Sequence, residues 1–206
     1  AADAEAVIEA RGLTVLPGVI DTQVHFREPG LEHKEDLATG SAGAALGGVT
    51  AFFEMPNTKP NTDTAEALAD KLARAAGRCW VDHAFYIGAT AENAEQLGEL
   101  EKLPGAAGVK IFMGSSTGSL LVADDETLER VLANGRRRVA IHCEDEDRLT
   151  ERKPVALEGA HPRFHPEWRD VETAVRATTR LLRAARKTGR RVHVLHVTTA
   201  EEMALL

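Results

Sequence analysis

The sequence predicts an α/β fold built on a parallel sheet. Six apolar, β-branched runs of strand length recur, at residues 15–26, 49–55, 81–87, 108–113, 139–143 and 192–197. Segments with helical periodicity lie between several of them, most clearly at residues 64–76, 91–103, 124–134 and 170–188. Strands that alternate with helices require right-handed crossovers and give a parallel sheet. Because the strand runs are continuously apolar, we expect both faces of the sheet to be buried.

Capping residues support the helix boundaries. Thr64 and Asp124 supply side-chain acceptors at two helix starts, and Gly77 and Gly189 follow two helix ends. A doubly wound sheet and a (β/α)8 TIM-type barrel both fit this alternation. No glycine-rich dinucleotide motif follows the first strand, which disfavours the doubly wound sheet. The sequence therefore predicts a barrel of which about six βα units are present, with a further helix beginning at Thr199.

One segment lacks a regular pattern. Residues 145–169 contain three prolines, two histidines and many charges, without a clear period. Connections of this length usually serve as lids or binding loops, or are disordered. We predict a long βα loop without regular secondary structure here.

Composition restricts the class of protein. The 206 residues are 43% hydrophobic and 28% charged, which is typical of a globular domain. A formal net charge of −7 disfavours nucleic acid as a partner, and two basic clusters at residues 136–138 and 186–191 are interpreted as helix ends. No apolar run is long enough for a membrane span and no signal peptide opens the chain. Two cysteines, Cys79 and Cys143, suit a reducing cytoplasm.

Polar side chains stand at or near the carboxyl ends of five predicted strands. His25 ends the first strand, Asn57 follows the second, Lys110 lies in the fourth, and His142 and His196 end the fifth and sixth. In a barrel, the carboxyl ends of all strands open onto one rim, where active sites are built. This convergence predicts an active site at that rim. The other histidines are given no role there: His83 and His193 are interpreted as structural, and His33, His161 and His165 as loop residues.

Lys110 is unusual because it interrupts an apolar strand. A desolvated lysine has a lowered pKa and becomes nucleophilic, so Lys110 could form a Schiff base or take up carbon dioxide as a carbamate. The simpler interpretation is a lysine that reaches the rim or is paired there. His142 and His196 with a carbamylated Lys110 would give a metal three protein ligands and an open position, which is the catalytic zinc arrangement. The three rim histidines favour the metal interpretation.

Five motifs resemble those of one enzyme family. They are Asp21-Thr-Gln-Val-His25-Phe-Arg27-Glu-Pro-Gly30, Glu54-Met-Pro-Asn57-Thr58, Gly108-Val-Lys110, Ile141-His142-Cys-Glu144 and Leu195-His196-Val. In order and spacing they resemble the cyclic amidohydrolases, and within these the dihydroorotases, over essentially the whole chain. Allantoinases and hydantoinases share the metal residues but typically lack the arginine and asparagine pair.

The resemblance implies a zinc pair bridged by N6-carboxylated Lys110. One zinc would take His142 and His196. The other would take the histidine pair of strand one, at whose positions Gln23 and His25 stand here, and an aspartate from strand eight, which we expect beyond Leu206. Arg27 and Asn57 would hold the substrate α-carboxylate, since the arginine fork matches a carboxylate; an ion pair of Arg27 with Glu28 or Glu32 is the alternative. The implied reaction is the reversible cyclisation of N-carbamoyl-L-aspartate to L-dihydroorotate in pyrimidine biosynthesis, by a zinc-bound hydroxide.

The chain departs from the family pattern in two ways. The strand-one motif is usually His-x-His, and here Gln23 precedes His25 by two residues. Gln23 faces the same side but is a weaker ligand, so we expect one or two zinc ions. We also expect the chain to be a portion of a longer protein, with residues 1–17 the remnant of an N-terminal β-sandwich that leads into the partial barrel of residues 18–206, and with an exposed apolar sheet edge.

Three functions remain open at this stage. The first is an active dihydroorotase, which we prefer because Lys110, His142, His196, Arg27 and Asn57 are all present. The second is a non-catalytic dihydroorotase-like subunit that scaffolds aspartate transcarbamoylase, which Gln23 favours. The third is a cyclic amidase acting on hydantoin or allantoin. The resemblance suggests a homo-oligomer. Ser115, Ser116 and Thr117 follow Lys110 and are either substrate contacts or a polar turn.

Overall fold

The computed structural model describes residues 5–114, 118–157 and 161–206. In these ranges one parallel sheet contains β1 Val19–Val24, β2 Val49–Glu54, β3 Asp82–Gly88, β4 Ala106–Phe112, β5 Val139–His142 and β6 Val192–Val194. The spatial order of the strands is their sequence order, and every neighbouring pair is parallel. A doubly wound sheet reverses its order at a switch point. The uninterrupted order therefore confirms the predicted partial barrel.

Helices connect these strands. They are α1 Leu37–Leu46, α2 Ala65–Ala75, α3 Leu97–Leu100, α4 Asp125–Ala133, α5 Glu146–Leu157, α6 His165–Trp168, α7 Val171–Thr188 and α8 Ala200–Met203. Thr64 and Asp124 cap α2 and α4 through their side chains, and Gly189 ends α7 in the left-handed conformation at φ 67°. The capping predictions are thus confirmed.

The structure corrects two helix predictions. The segment 145–169 is mostly helical, because α5, a short 3₁₀ turn at Pro162–Phe164 and α6 occupy much of it. Leu149 is the one fully buried residue of α5, so the helix carries no apolar stripe that a periodicity search could detect. The helix predicted over residues 91–103 is shorter, a 3₁₀ turn at Ala94–Gln96 followed by the single turn of α3.

Helix α1 lies between β1 and β2, where the sequence shows no helical pattern that predicts it. Its ten residues are mostly Ala, Gly and Leu and present no clear polar face. The local signal for this helix is its N-cap, since the Asp36 carboxylate accepts the backbone N–H groups of Ala38 and Thr39.

Neighbouring strand residues pack into two different cores. Phe52 and Phe85 belong to a large cluster that also contains helix residues, whereas Phe53 and Tyr86 pack with a small separate cluster. Because successive strand residues point to opposite faces, the large cluster fills the space between sheet and helices and the small one lies on the concave side. Both faces are therefore covered at the centre of the sheet, as predicted.

The outer edge of β1 is open in the described part of the chain. Val19 and Ile20 are 56% and 55% exposed, in agreement with the expected uncovered apolar edge. Residues 5–17 form no helix or strand, and their assignment to a β-sandwich stays a prediction. Ser115, Ser116 and Thr117 lie outside the described residues. Among the helices in the described ranges, none is long and apolar enough to cross a bilayer.

Candidate active site

The structure brings the predicted polar side chains to one rim. His25 directly follows β1, Asn57 lies three residues beyond β2, Lys110 is in β4, His142 ends β5, and His196 lies two residues beyond β6. All these strands run in the same direction, so their carboxyl ends share one side of the sheet. The rim is therefore assembled from five separate strands, as the sequence indicated.

His142 and His196 form a close pair at one end of this rim. The Nδ1 atom of His142 lies 3.1 Å from the Nε2 atom of His196. Burial, together with the charges of His142 and Lys110, lowers the pKa of His196. A neutral imidazole is the form that binds a metal. The pair therefore presents two imidazole nitrogen atoms close together, and the lowered pKa of His196 favours its neutral form.

Glu144 determines which nitrogen of His142 carries the proton. The Nε2–H group of His142 donates to the Glu144 carboxylate at 2.6 Å, which leaves the Nδ1 lone pair directed toward His196. Arg169 in turn donates from Nη1 to the same Glu144 oxygen at 2.8 Å. A carboxylate behind a histidine is the usual support of a metal-binding imidazole.

Sequence reasoning missed both supporting residues. Glu144 stood inside the quoted motif Ile141-His142-Cys-Glu144, so its spacing of two from His142 was an available signal. Arg169 comes from the irregular segment 145–169, where no pattern pointed to it. His165, to which we assigned no role, lines a cavity of about 420 Å³ together with His142, Arg169 and His196.

Lys110 is buried without a hydrogen-bond partner. Its side chain is 1% exposed, and the Nζ atom has no hydrogen-bond partner among the described residues. The ring of Phe112 lies 4.3 Å below it. Desolvation lowers the pKa of Lys110 to about 7. A substantial fraction is thus the neutral, nucleophilic amine near neutral pH, the form that reacts with carbon dioxide.

His25 is oriented by Asn57 at the other end of the rim. The Nδ1–H group of His25 donates to the Asn57 amide oxygen at 2.9 Å, so the Nε2 lone pair of His25 stays available. Burial, followed by the Arg27 charge, lowers the pKa of His25 to about 4. Gln23 is half-buried in β1, two residues earlier. Its role as a weak ligand stays a prediction.

The donor set fits a metal only with Lys110 included. In the described ranges, no group of three or more His, Cys, Asp and Glu side chains is placed to hold an ion. The Lys110 charge contributes to the lowered pKa of both His25 and His196, which places the lysine within electrostatic reach of both. A carboxylated Lys110 would add anionic oxygen donors there. Nitrogen and oxygen donors of this kind fit zinc.

Arg27 and Asn57 line a second cavity, of about 530 Å³. The two acidic side chains considered as partners for Arg27 bind other groups. The Glu28 carboxylate forms an ion pair with Arg78 Nη1 at 2.6 Å, and the Glu32 carboxylate accepts a hydrogen bond from the Gly30 N–H at 2.9 Å. The Arg27 guanidinium has no partner among the described residues. The ion-pair alternative for Arg27 is therefore wrong, and its charge faces a cavity.

A buried ion pair holds the backbone of Arg27. Arg27 has a left-handed backbone, with φ 69°, and its N–H donates to the Glu54 carboxylate at 3.0 Å. The other oxygen of Glu54 lies 2.6 Å from Lys71 Nζ, and both side chains are fully buried. A strained backbone persists where its surroundings over-determine it. Glu54 and Lys71 supply that restraint.

A comparison with protein families identifies the family of the chain. The family model described as dihydro-orotase-like matches residues 12–202. The chain belongs to the dihydroorotase-like family. The resemblance read from the five motifs is thereby confirmed.

Individual relatives carry several enzyme names. A dihydroorotase of Methanosarcina acetivorans is 35% identical over 98% of this chain and 44% of its own length. An allantoinase of Deinococcus radiodurans is 35% identical over 100% of this chain and 47% of its own. The crystal structure of D-hydantoinase from Bacillus sp. AR9 superposes with a TM-score of 0.83 at 28% identity, covering 99% of this chain and 46% of that one. The chain thus spans less than half the length of these relatives.

Proposed function

We propose that this chain carries the metal-binding and carboxylate-binding parts of a dihydroorotase site, which interconverts N-carbamoyl-L-aspartate and L-dihydroorotate. The observation that carries the proposal is the Arg27 guanidinium, which has no partner within the described ranges and lines a cavity next to the rim of His25 and Lys110. Dihydroorotate bears a ring carboxylate, whereas allantoin and hydantoin rings bear none. A buried or half-buried cation without a partner is costly unless a ligand neutralises it.

Arg27 and Asn57 are proposed to hold the carboxylate of the substrate. The planar guanidinium of Arg27 can donate two parallel hydrogen bonds to it. Asn57 accepts from His25 through its amide oxygen, so its NH₂ group remains to donate. Because this hydrogen bond also orients His25, binding of the carboxylate and placement of the ring are coupled through one side chain.

The residues of the rim are proposed to hold one or two zinc ions. His142, His196 and carboxylated Lys110 would hold one, and His25 with Gln23 and the same carbamate would hold a weaker second. When bound, zinc polarises a carbonyl and activates water. The protein's own contribution is to lower the pKa of His25 and His196 and to hold the His142 proton on Nε2 through Glu144. Arg27 would orient the substrate ring through its carboxylate.

A second candidate is hydrolysis of a neutral ring such as allantoin or hydantoin. The allantoinase relative favours it, at the same 35% identity as the dihydroorotase relative. A neutral substrate would, however, leave Arg27 without a function. The alternative of a non-catalytic scaffold subunit rests on Gln23, and it would leave the desolvated Lys110 without a function. Homo-oligomerisation and association with aspartate transcarbamoylase stay predictions from the resemblance.

The test is zinc analysis and ring hydrolysis by the full-length protein and its Arg27→Met variant. We expect one or two zinc ions per chain, turnover of dihydroorotate, and a loss of about 10²-fold in kcat/KM in the variant, because a charged bidentate contact is removed. Arg138→Met, which lies before β5 at the opposite end of the sheet, is the control. Turnover of allantoin with no dependence on Arg27 would support the second candidate. A folded protein that binds no zinc and hydrolyses neither ring would support the alternative of a non-catalytic scaffold subunit.

A further inference from the structure

Two lysines share the cavity of Arg27 and Asn57. Lys34 and Lys59 line it, together with the uncharged residues Leu31, Thr58, Pro60 and Asn61. Among the residues that the structure describes, no acidic side chain contributes to this lining. Lys34 and Lys59 are both exposed, and neither forms an ion pair or a side-chain hydrogen bond with another described residue. Three cationic side chains therefore face one cavity with no internal counter-charge.

This concentration of positive charge contrasts with the whole chain. The protein carries 32 acidic against 25 basic residues, a formal net charge of −7. Several other surface cations form ion pairs, as in Lys102 with Glu99 and Lys187 with Glu129. A local positive field attracts small anions and has little effect on neutral molecules. The cavity should therefore favour anionic over neutral ligands by charge as well as by shape.

The backbones that carry the two lysines are anchored. The Lys59 N–H donates to the carbonyl of Pro29 at 2.8 Å, and the Lys34 N–H donates to the carbonyl of Leu31 at 2.9 Å. Gly30 packs so closely on the Lys59 backbone that a Cβ atom at Gly30 would lie 2.1 Å from the Lys59 carbonyl oxygen. The loops after β1 and β2 are therefore joined, and the backbones of both lysines are held beside the cavity that they line with Arg27.

We propose that Lys34 and Lys59 are specificity-determining residues, which select rings that carry a carboxylate over neutral rings by charge attraction at the entrance to the Arg27 site. This inference rests on the proposed function and deepens it. Arg27 and Asn57 make the direct contacts with the carboxylate, and the two lysines raise the local concentration of the anion. The same field favours the open-chain product, which bears two carboxylates.

The experiment compares the full-length, zinc-loaded protein with Lys34→Gln/Lys59→Gln. The matched control is Lys102→Gln/Lys187→Gln, which removes the same charge near the opposite ends of the strands. We expect kcat/KM for dihydroorotate to fall about tenfold at low ionic strength in the first variant. The ratio of kcat/KM for dihydroorotate to kcat/KM for neutral dihydrouracil should fall as well. Added salt should reduce the difference in kcat/KM for dihydroorotate between the variant and wild type, because ionic screening weakens the field. The control variant should follow wild type.

Equal salt dependence and an equal substrate ratio in wild type and the Lys34/Lys59 variant would overturn the inference. A wild-type protein that does not hydrolyse dihydroorotate would instead contradict the proposed function. In that case the cavity is tested by calorimetric titration with N-carbamoyl-L-aspartate. Weaker binding to the Lys34/Lys59 variant would support the selective cavity, and unchanged binding would contradict it.

Discussion

The two sides of the rim are built for opposite charges. The histidine-pair side consists of His142, Glu144, Arg169 and His196, and the clamp side consists of His25, Arg27, Lys34, Asn57 and Lys59. On the histidine-pair side, a carboxylate orients an imidazole so that its lone pair faces inward, which suits a cation. On the clamp side, a guanidinium and two ammonium groups surround a cavity, which suits an anion. Lys110 lies between the two sides, so its chemical state decides whether they act as one site.

The two sides also differ in how they are supported. The histidine-pair side depends on the insertion of α5 and α6, since Arg169 follows α6. The clamp side depends on the loops after β1 and β2 and on the buried pair of Glu54 and Lys71. Because the two sides have separate supports, we expect that substitutions can alter metal affinity and substrate selectivity independently.

Removing Lys110 should break the link between the two sides and have the largest effect. In Lys110→Gln we expect loss of bridged zinc and a fall of about 10³-fold or more in turnover, since Lewis-acid stabilisation is worth several kcal/mol. Protein labelled with ¹³C-bicarbonate should give a carbamate signal in NMR that this variant lacks and that the surface variant Lys102→Gln retains. A carbamate signal that persists in Lys110→Gln would contradict the assignment.

Changing Glu144 should weaken the histidine-pair side alone. Glu144→Gln loses the charge that holds the His142 proton on Nε2, so we expect zinc affinity to fall about 10–100-fold. Zinc competition with a chromophoric chelator measures the change. KM for dihydroorotate at saturating zinc should change little, because the clamp side is intact. Glu151→Gln, on an exposed position of α5, is the control, and an equal loss of zinc affinity there would remove the specific role of Glu144.

A pair of glycine variants should perturb the clamp side most gently. Gly30 and Gly48 both have φ 86°, but a Cβ atom meets the Lys59 carbonyl at Gly30 and nothing within 4 Å at Gly48. Gly48→Ala should lose about 1–2 kcal/mol of stability in urea unfolding because of its left-handed backbone, and Gly30→Ala should lose more because its Cβ would also overlap the Lys59 carbonyl. Only Gly30→Ala should also raise KM for dihydroorotate, by severalfold, because it separates the two loops. Equal KM values in the two variants would show that the loop contact does not position the clamp.

The strand assignments could be predicted from the sequence because buried parallel strands are continuous apolar runs, and the six predicted runs correspond to β1 through β6. Capped helices such as α2 and α4 were also predictable, since capping is a local interaction. Helix α5 was not, because it buries too little apolar surface to leave a pattern. The positions of His25, Lys110, His142 and His196 at the rim were predictable from the strand assignments, because the carboxyl ends of parallel strands lie on one side of the sheet.

What the sequence by itself determined is therefore the barrel class, the family motifs and the side chains that reach the rim. Only the tertiary structure decided how those side chains pair: Arg169 behind Glu144 across 25 residues, and His25 against Asn57 across 32. Glu28 pairs with Arg78, which leaves Arg27 without a partner in the described part of the chain. The physical reason is that apolar periodicity reports local burial. Hydrogen-bond partners and the sign of a cavity's charge depend on which distant loops meet, and no local pattern records that.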